Sequence, residues 1–268
     1  MFNENRRQQQ KIAARIERVL IVDPQVQSAR LLGDLLRADL ACEAFTASTV
    51  DSAYAIASSQ EPNLIFVEHP SAGVDGYALT RKIRRSELAC RMAPVIMVTG
   101  EATAAAILTA RDAGLHEFLR KPYTAGDLQR RLETVTLKPR DWVEAVQYIG
   151  PDRRRFNSAD YSGPRKRRND ADRGSDLSRM VQALKIVRSA ATCLDSDLMQ
   201  VRRALMAQAI ELKRNPAAPP ALKVLANSVG GWCARAEVLN PQLRLELTSW
   251  VAEMAAFIPA DASAEKAA

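Results

Sequence analysis

Between residues 17 and 137, short apolar runs alternate with helical patterns five times over. That alternation constrains the fold more than any other feature. RVLIV (18–22), NLIFVE (63–68) and PVIMVT (94–99) are almost wholly apolar. Strands covered by helices on both faces have that composition. CEAFTA (42–47) and HEFLR (116–120) complete the strand candidates. Between them run helical stripes: Ala29, Leu32, Leu35 and Leu36; then Ala53, Ile56 and Ala57 behind a Thr49 cap; then Leu79 and Ile83. Residues 104–113 form the next helix, and Thr124 with Asp127 opens the last through Leu128 and Leu132. Five β/α units in about 120 residues predict an α/β fold, a doubly wound five-stranded parallel sheet.

The pattern then changes. Residues 138–175 hold YIGPDRRR and YSGPRKRR, two copies of Tyr-x-Gly-Pro-x-(Arg/Lys)-Arg-Arg starting at Tyr148 and Tyr161. Pro and Gly argue against regular structure there, so this is read as a flexible basic linker. From Leu177 through Met180, Leu184, Val187, Ala191, Leu194, Leu198 and Val201 to Leu205, apolar residues recur at spacings of three and four. That is a heptad seam, with Ser175 as its expected cap. It ends at NPAAPP (215–220), and helices are expected over 221–239 and 242–258. The domains are therefore a lead segment (1–16), the α/β domain (17–137), the linker (138–175), an all-α module (176–258) and a tail (259–268).

The chain has 268 residues and a formal charge of +7, a mild excess that favours anionic partners only where it clusters. Four widely spaced cysteines and two histidines give no zinc spacing, and a reduced, cytoplasmic setting is expected. MFNENRRQQQ has no apolar stretch of a secretory signal, and no run of about 18 apolar residues spans a membrane.

Ligands of open parallel sheets bind outside the carboxyl ends of the strands. Those ends carry Asp23 then Pro24, Glu68 then His69, Thr99, and Lys121 then Pro122. Two carboxylates, a hydroxyl and a lysine should converge. This set, in this order, resembles the receiver domain of two-component response regulators. LIFVEHPSAGVDGY resembles the phosphoacceptor stretch, with Gly73-Val74-Asp75-Gly76 fixing the register. PVIMVTG carries the family threonine as Thr99, FLRKPY the family lysine as Lys121, and Phe118 falls at the family's switch position.

Two departures bear on function. The resemblance implies aspartate at the position of Glu68 and a second acidic residue where Pro24 stands. Magnesium takes its protein ligands from such carboxylates, and proline offers none. Glutamate is longer by one methylene, and misplacing a reacting atom by about 1 Å can cost about 100-fold. The expectation is an atypical receiver with weak or lost magnesium binding, acting by protein–protein interaction. Glu68 paired with Lys121 either locks an active-like state or stabilises an inert scaffold. His69, lacking a second imidazole, reads as loop chemistry rather than a phosphohistidine or metal ligand. The alternatives are a phosphorylatable regulator, or an effector binding cyclic di-GMP, nucleic acid or another anion. That effector would use Tyr148, Arg153, Arg154, Arg155, Tyr161, Arg165, Arg167 and Arg168. The seam predicts an intramolecular bundle of three helices, with a homodimeric coiled coil as its alternative. No helix-turn-helix or enzymatic motif stands out.

Overall fold

A computed structural model describes residues 2–70, 73–101, 103–153 and 176–259. One compact unit takes in the chain to Val143 and again from Tyr148. The other takes in Glu144–Gln147 and the helices from Asp176 on.

The first unit runs α1 (Phe2–Ala13), β1 (Arg18–Val22), α2 (Val26–Leu40), β2 (Glu43–Ala47), α3 (Val50–Gln60), β3 (Leu64–Glu68) and α4 (Gly76–Arg85). It continues with a 3-10 turn (Ala89–Met92), β4 (Val95–Thr99), α5 (Ala104–Asp112), β5 (Glu117–Arg120) and α6 (Ala125–Leu137). The five strands are parallel in the order β2-β1-β3-β4-β5. Side chains alternate between faces along each strand. Leu20, Val22, Ile65, Val67, Val95 and Met97 point to one core with Ala53, Leu79 and Ile83 from α3 and α4. Val19, Ile21, Phe66, Ile96 and Val98 point to the other, with Leu32, Leu36, Leu128 and Leu132 from α2 and α6. Along β1, β3 and β4 both faces are buried, as the apolar runs predict. The two expected caps form: Thr49 with Ser52 and Thr124 with Asp127 close reciprocal capping boxes.

Two expectations need correction in this unit, and one segment left unassigned gains a structure. Leu35 is 36% exposed; one residue is about 100° of helix rotation, so with Leu36 inward its neighbour faces out. The lead segment, to which the sequence reading assigns no element, is largely helical. It forms α1 and buries Ile12 and Ile16 in the core of α2 and α6, while Arg15 donates to the Thr136 carbonyl. And the linker begins with regular structure: β6 (Trp142–Glu144) pairs with β7 (Ile149–Pro151). Gly150 enables this, and Pro151 is accommodated as the last residue of β7. Asp152 N–H closes onto the Asp141 carbonyl at 2.7 Å. Tyr148 Oη donates to the Pro151 carbonyl at 2.5 Å. A Cβ at Gly150 would stand 2.8 Å from Gly114 Cα, so only glycine permits that approach. Residues 154–175 lie outside the described residues, and with them the Ser175 cap.

The second unit contains α7 (Asp176–Ala191), α8 (Leu198–Arg214), α9 (Pro220–Arg235) and α10 (Pro241–Ala255). The seam is two helices, not one. The chain breaks at 192–197, and Asp197 caps α8 by accepting from Gln200 N–H. Met180, Leu184, Val187, Val201 and Leu205 all enter one core with Leu222, Trp232 and Leu247. The expected three-helix bundle is thus a bundle of four among the described residues. Trp232 satisfies its buried indole N–H on the Leu243 carbonyl, 2.7 Å away.

Ile12 anchors α1 with almost no exposed surface. Ile12→Ala is expected to lower the unfolding free energy of the first unit by about 3 kcal/mol, read from denaturant midpoints. A change below about 0.5 kcal/mol would show that α1 contributes nothing to the core.

Candidate functional site

Parallel strands deliver their carboxyl ends to one edge. Asp23 follows β1, Glu68 closes β3, Thr99 closes β4 and Lys121 follows β5. Backbone bonds hold the two loops in place: Asp23 N–H to the Ala47 carbonyl at 3.0 Å, and Lys121 N–H to the Thr99 carbonyl at 2.7 Å. The Lys121 ammonium reaches across the edge. It makes a short hydrogen bond to Glu68 Oε2 and lies 3.4 Å from Asp23 Oδ2. Asp23 Oδ1 accepts the Gln25 N–H at 2.7 Å, so both of its oxygens are engaged. Thr99 takes no part in the cluster's hydrogen bonds: its hydroxyl accepts from Glu101 N–H at 2.9 Å and donates to the Glu101 carbonyl at 3.3 Å. Of the four residues expected to converge at this edge, Asp23, Glu68 and Lys121 meet, while Thr99 bonds to Glu101 instead.

These charges are partly desolvated; the side chains of Asp23, Glu68 and Lys121 are 8%, 13% and 28% exposed. Burial raises the Glu68 carboxyl above its usual range, and Asp23 beside it adds to the rise against the pull of Lys121. Burial opposes the Lys121 charge, but the hydrogen bond to Glu68 and the nearby Asp23 outweigh it and hold the ammonium above its usual pKa. At the cluster is a cavity of about 10 Å³ lined by Asp23, Glu68 and Lys121 together with Ile21, Phe66 and Val98. That is room for about one water.

His69 stacks at a tilt on Tyr77, with ring centroids 3.9 Å apart. Its Nδ1 is 3.9 Å from Asp75 Oδ1, but burial lowers its pKa and keeps it neutral near pH 7. Among the described residues no three His, Cys, Asp or Glu side chains form a metal-holding group. Phe118 points inward from β5 and is buried with Met97 and Leu115.

The linker residues read differently from expectation. Tyr148 is 8% exposed and burial pushes its hydroxyl up to about 12, so its ring is unavailable to stack on a base. Arg153 lies 4.5 Å over that ring and 3.0 Å from Asp112 Oδ1. Arg154, Arg155, Tyr161, Arg165, Arg167 and Arg168 lie outside the described residues. Sequence reasoning missed Arg84 altogether. It is fully buried, donating to the carbonyls of Gly114 (3.1 Å), Arg91 (2.6 Å) and Ala93 (2.8 Å), and sits 3.2 Å from His116 Nδ1. Its available signal is position: it falls beside Ile83 and four residues after Thr80, on the inner face of α4.

A family model described as "Response regulator receiver domain" matches residues 19–133. This segment is a receiver domain of two-component signalling. Curated relatives of the receiver include the nitrogen assimilation regulatory protein NtrX of Azorhizobium caulinodans, 32% identical over 139 residues, half of this chain and 30% of that protein. The phosphate regulon transcriptional regulatory protein PhoB of Pseudomonas aeruginosa is 26% identical over 117 residues, 44% of this chain and 50% of that protein. The chain thus spans half or less of these curated relatives. Among solved structures, the chemotaxis protein CheY4 of Vibrio cholerae is 22% identical with a TM-score of 0.42, covering 45% of this chain and 98% of its own.

Lys121 is the shared counter-ion of two largely buried carboxylates. Lys121→Met should cost about 2 kcal/mol at neutral pH, because it leaves both charges uncompensated. It should also raise the Glu68 pKa further. A carboxyl whose folded pKa exceeds its unfolded value stabilises below the unfolded pKa and loses that contribution as pH rises. The variant's stability should therefore fall, relative to the unchanged protein, as pH rises from about 4.5 towards neutrality, in urea melts. Parallel curves across that window would contradict the shared-cation reading.

Proposed function

We propose that this receiver acts without phosphorylation, as a protein–protein interaction module in a two-component pathway. The observation that carries the reading is the Lys121 ammonium, bonded to Glu68 and facing Asp23. By the family resemblance, receivers that accept phosphate place an aspartate where Glu68 stands and a second acid where Pro24 stands. Magnesium fits poorly here. Asp23 has one oxygen on Gln25 N–H and the other facing Lys121, Pro24 supplies none, and a cation already sits between the carboxylates. Glu68 then serves as a fixed charge that holds Lys121, at −1 rather than the nearly −2 of a phosphorylated aspartate.

The partner would meet the surface of α5, β5 and α6, where Leu108 on α5 is 50% exposed. The bundle offers a second docking surface. It has no histidine, since the chain's two are His69 and His116, so it holds no phosphohistidine to pass on. The reading includes no enzymatic step and a cytoplasmic setting. No helix of the described residues is long and apolar enough to cross a membrane.

The second reading is a phosphorylatable regulator. It is favoured by the retention of Asp23, Thr99 and Lys121 at one edge and by the regulatory relatives. Incubation with acetyl phosphate and magnesium, followed by intact-mass measurement, separates the two. No adduct is expected on the unchanged protein, and a magnesium-dependent adduct is expected on the Pro24→Asp, Glu68→Asp double variant. A stoichiometric adduct on the unchanged protein would sink the first reading in favour of the second.

A further inference from the structure

The Tyr-x-Gly-Pro-x-(Arg/Lys)-Arg-Arg unit occurs twice, thirteen residues apart, and its first copy has a built seat on the receiver. Tyr148, Ile149, Gly150 and Pro151 are all buried there. Gly150 lies against Gly114, and a Cβ on Gly114 would meet the Ile149 carbonyl at 2.6 Å. Tyr148 Oη bonds the Pro151 carbonyl. Arg140 donates to the Asp152 carbonyl at 3.3 Å, and Asp152 N–H bonds the Asp141 carbonyl. Arg153 covers the Tyr148 ring and pairs with Asp112.

These contacts fall into two kinds. Some use backbone groups, which any sequence supplies. The rest use the Tyr side chain, the missing Cβ of Gly and the cation five positions after Tyr, with Pro buried beside them. The second copy repeats all four as Tyr161, Gly163, Pro164 and Lys166. It differs at a buried position, with Ser162 where the first has Ile149. Arg165 replaces Asp152, whose carboxylate favours the charge of Arg140, so the second copy also loses that attraction.

We propose that the seat formed by Gly114, Asp112 and β6 is a peptide-binding site for the Tyr-x-Gly-Pro-x-(Arg/Lys) unit. Its alternative occupant is the second copy of the same chain, which exchanges with the first. The exchange lengthens the loop after β6 from four residues to seventeen. Loop closure then disfavours the second copy by about tenfold. Ser162 in place of a buried isoleucine disfavours it by about another tenfold or more. The first copy is therefore the dominant occupant and the second a minor one. Exchange would move the attachment point of everything after residue 168 by thirteen residues.

Hydrogen exchange on the full chain, read by mass spectrometry, tests this. Gly150→Ala evicts the first copy, because its Cβ would meet Gly114 Cα and Tyr148 Oη at 2.8 Å. In that variant, residues 161–168 should gain about tenfold protection while 112–117 stay protected. Adding Gly163→Ala should expose 112–117. Equal exchange at 112–117 in the single and double variants, with β3 still protected in both, would overturn the proposal. Ser162→Ile covers the case in which Gly150→Ala does not fold. It should speed exchange across 148–153 by about tenfold and slow it across 161–168. Unchanged rates in both segments would overturn the proposal equally.

Discussion

The first unit is organised around a guanidinium in its interior. Burying an ion costs several kcal/mol unless hydrogen bonds replace its water. Arg84 obtains them from the carbonyls of Gly114, Arg91 and Ala93, and it lies against the His116 imidazole. Burial lowers its pKa to about 9, which leaves it charged at neutral pH. The three carbonyls lie in the segments leading into β4 and β5, so one side chain of α4 holds both strand entrances. His116 is kept neutral by burial and the adjacent cation, and its Nδ1 also accepts the Val95 N–H at 3.2 Å. Trp142 covers the guanidinium at 5.2 Å. The pair β6–β7 is thus the roof of an ionic site, and without it Arg84 would be open to water at the foot of the sheet.

The opposite edge solves its charge problem differently. There one ammonium serves two carboxylates, and the net charge is negative where Arg84's surroundings are positive. The edge is legible because parallel topology alone collects Asp23, Glu68, Thr99 and Lys121. Which of them touch is not legible. Thr99 turns to Glu101, a partner two residues away whose competition no strand pattern reveals.

The same distinction separates what the sequence discloses from what it hides. Strands 18–22, 64–68 and 95–99 are apolar because both faces are covered, and a local pattern reports that directly. The pairing of β6 with β7 depends on Gly150 meeting Gly114, 36 residues earlier, so Pro and Gly look locally like breakers. Helix α1 is polar apart from few anchors, and its role shows only when Ile12 and Ile16 meet Leu36 and Leu132. The seam from 177 to 205 preserves its spacing across a break. Periodicity cannot tell one long helix from two that share a core, although Asp197 marks the restart.

The position of α1 has a consequence for any shortened form of the chain. Family similarity begins at residue 19, which invites a cut just before β1. Such a fragment would keep every strand and every charge of the carboxyl edge. It would also uncover the strip of α2 and α6 on which Ile12 and Ile16 rest. Exposed strips of that kind are sticky. The fragment's self-association would then report a missing helix, and read as a natural dimer it would assign this protein a symmetry that belongs to the scissors.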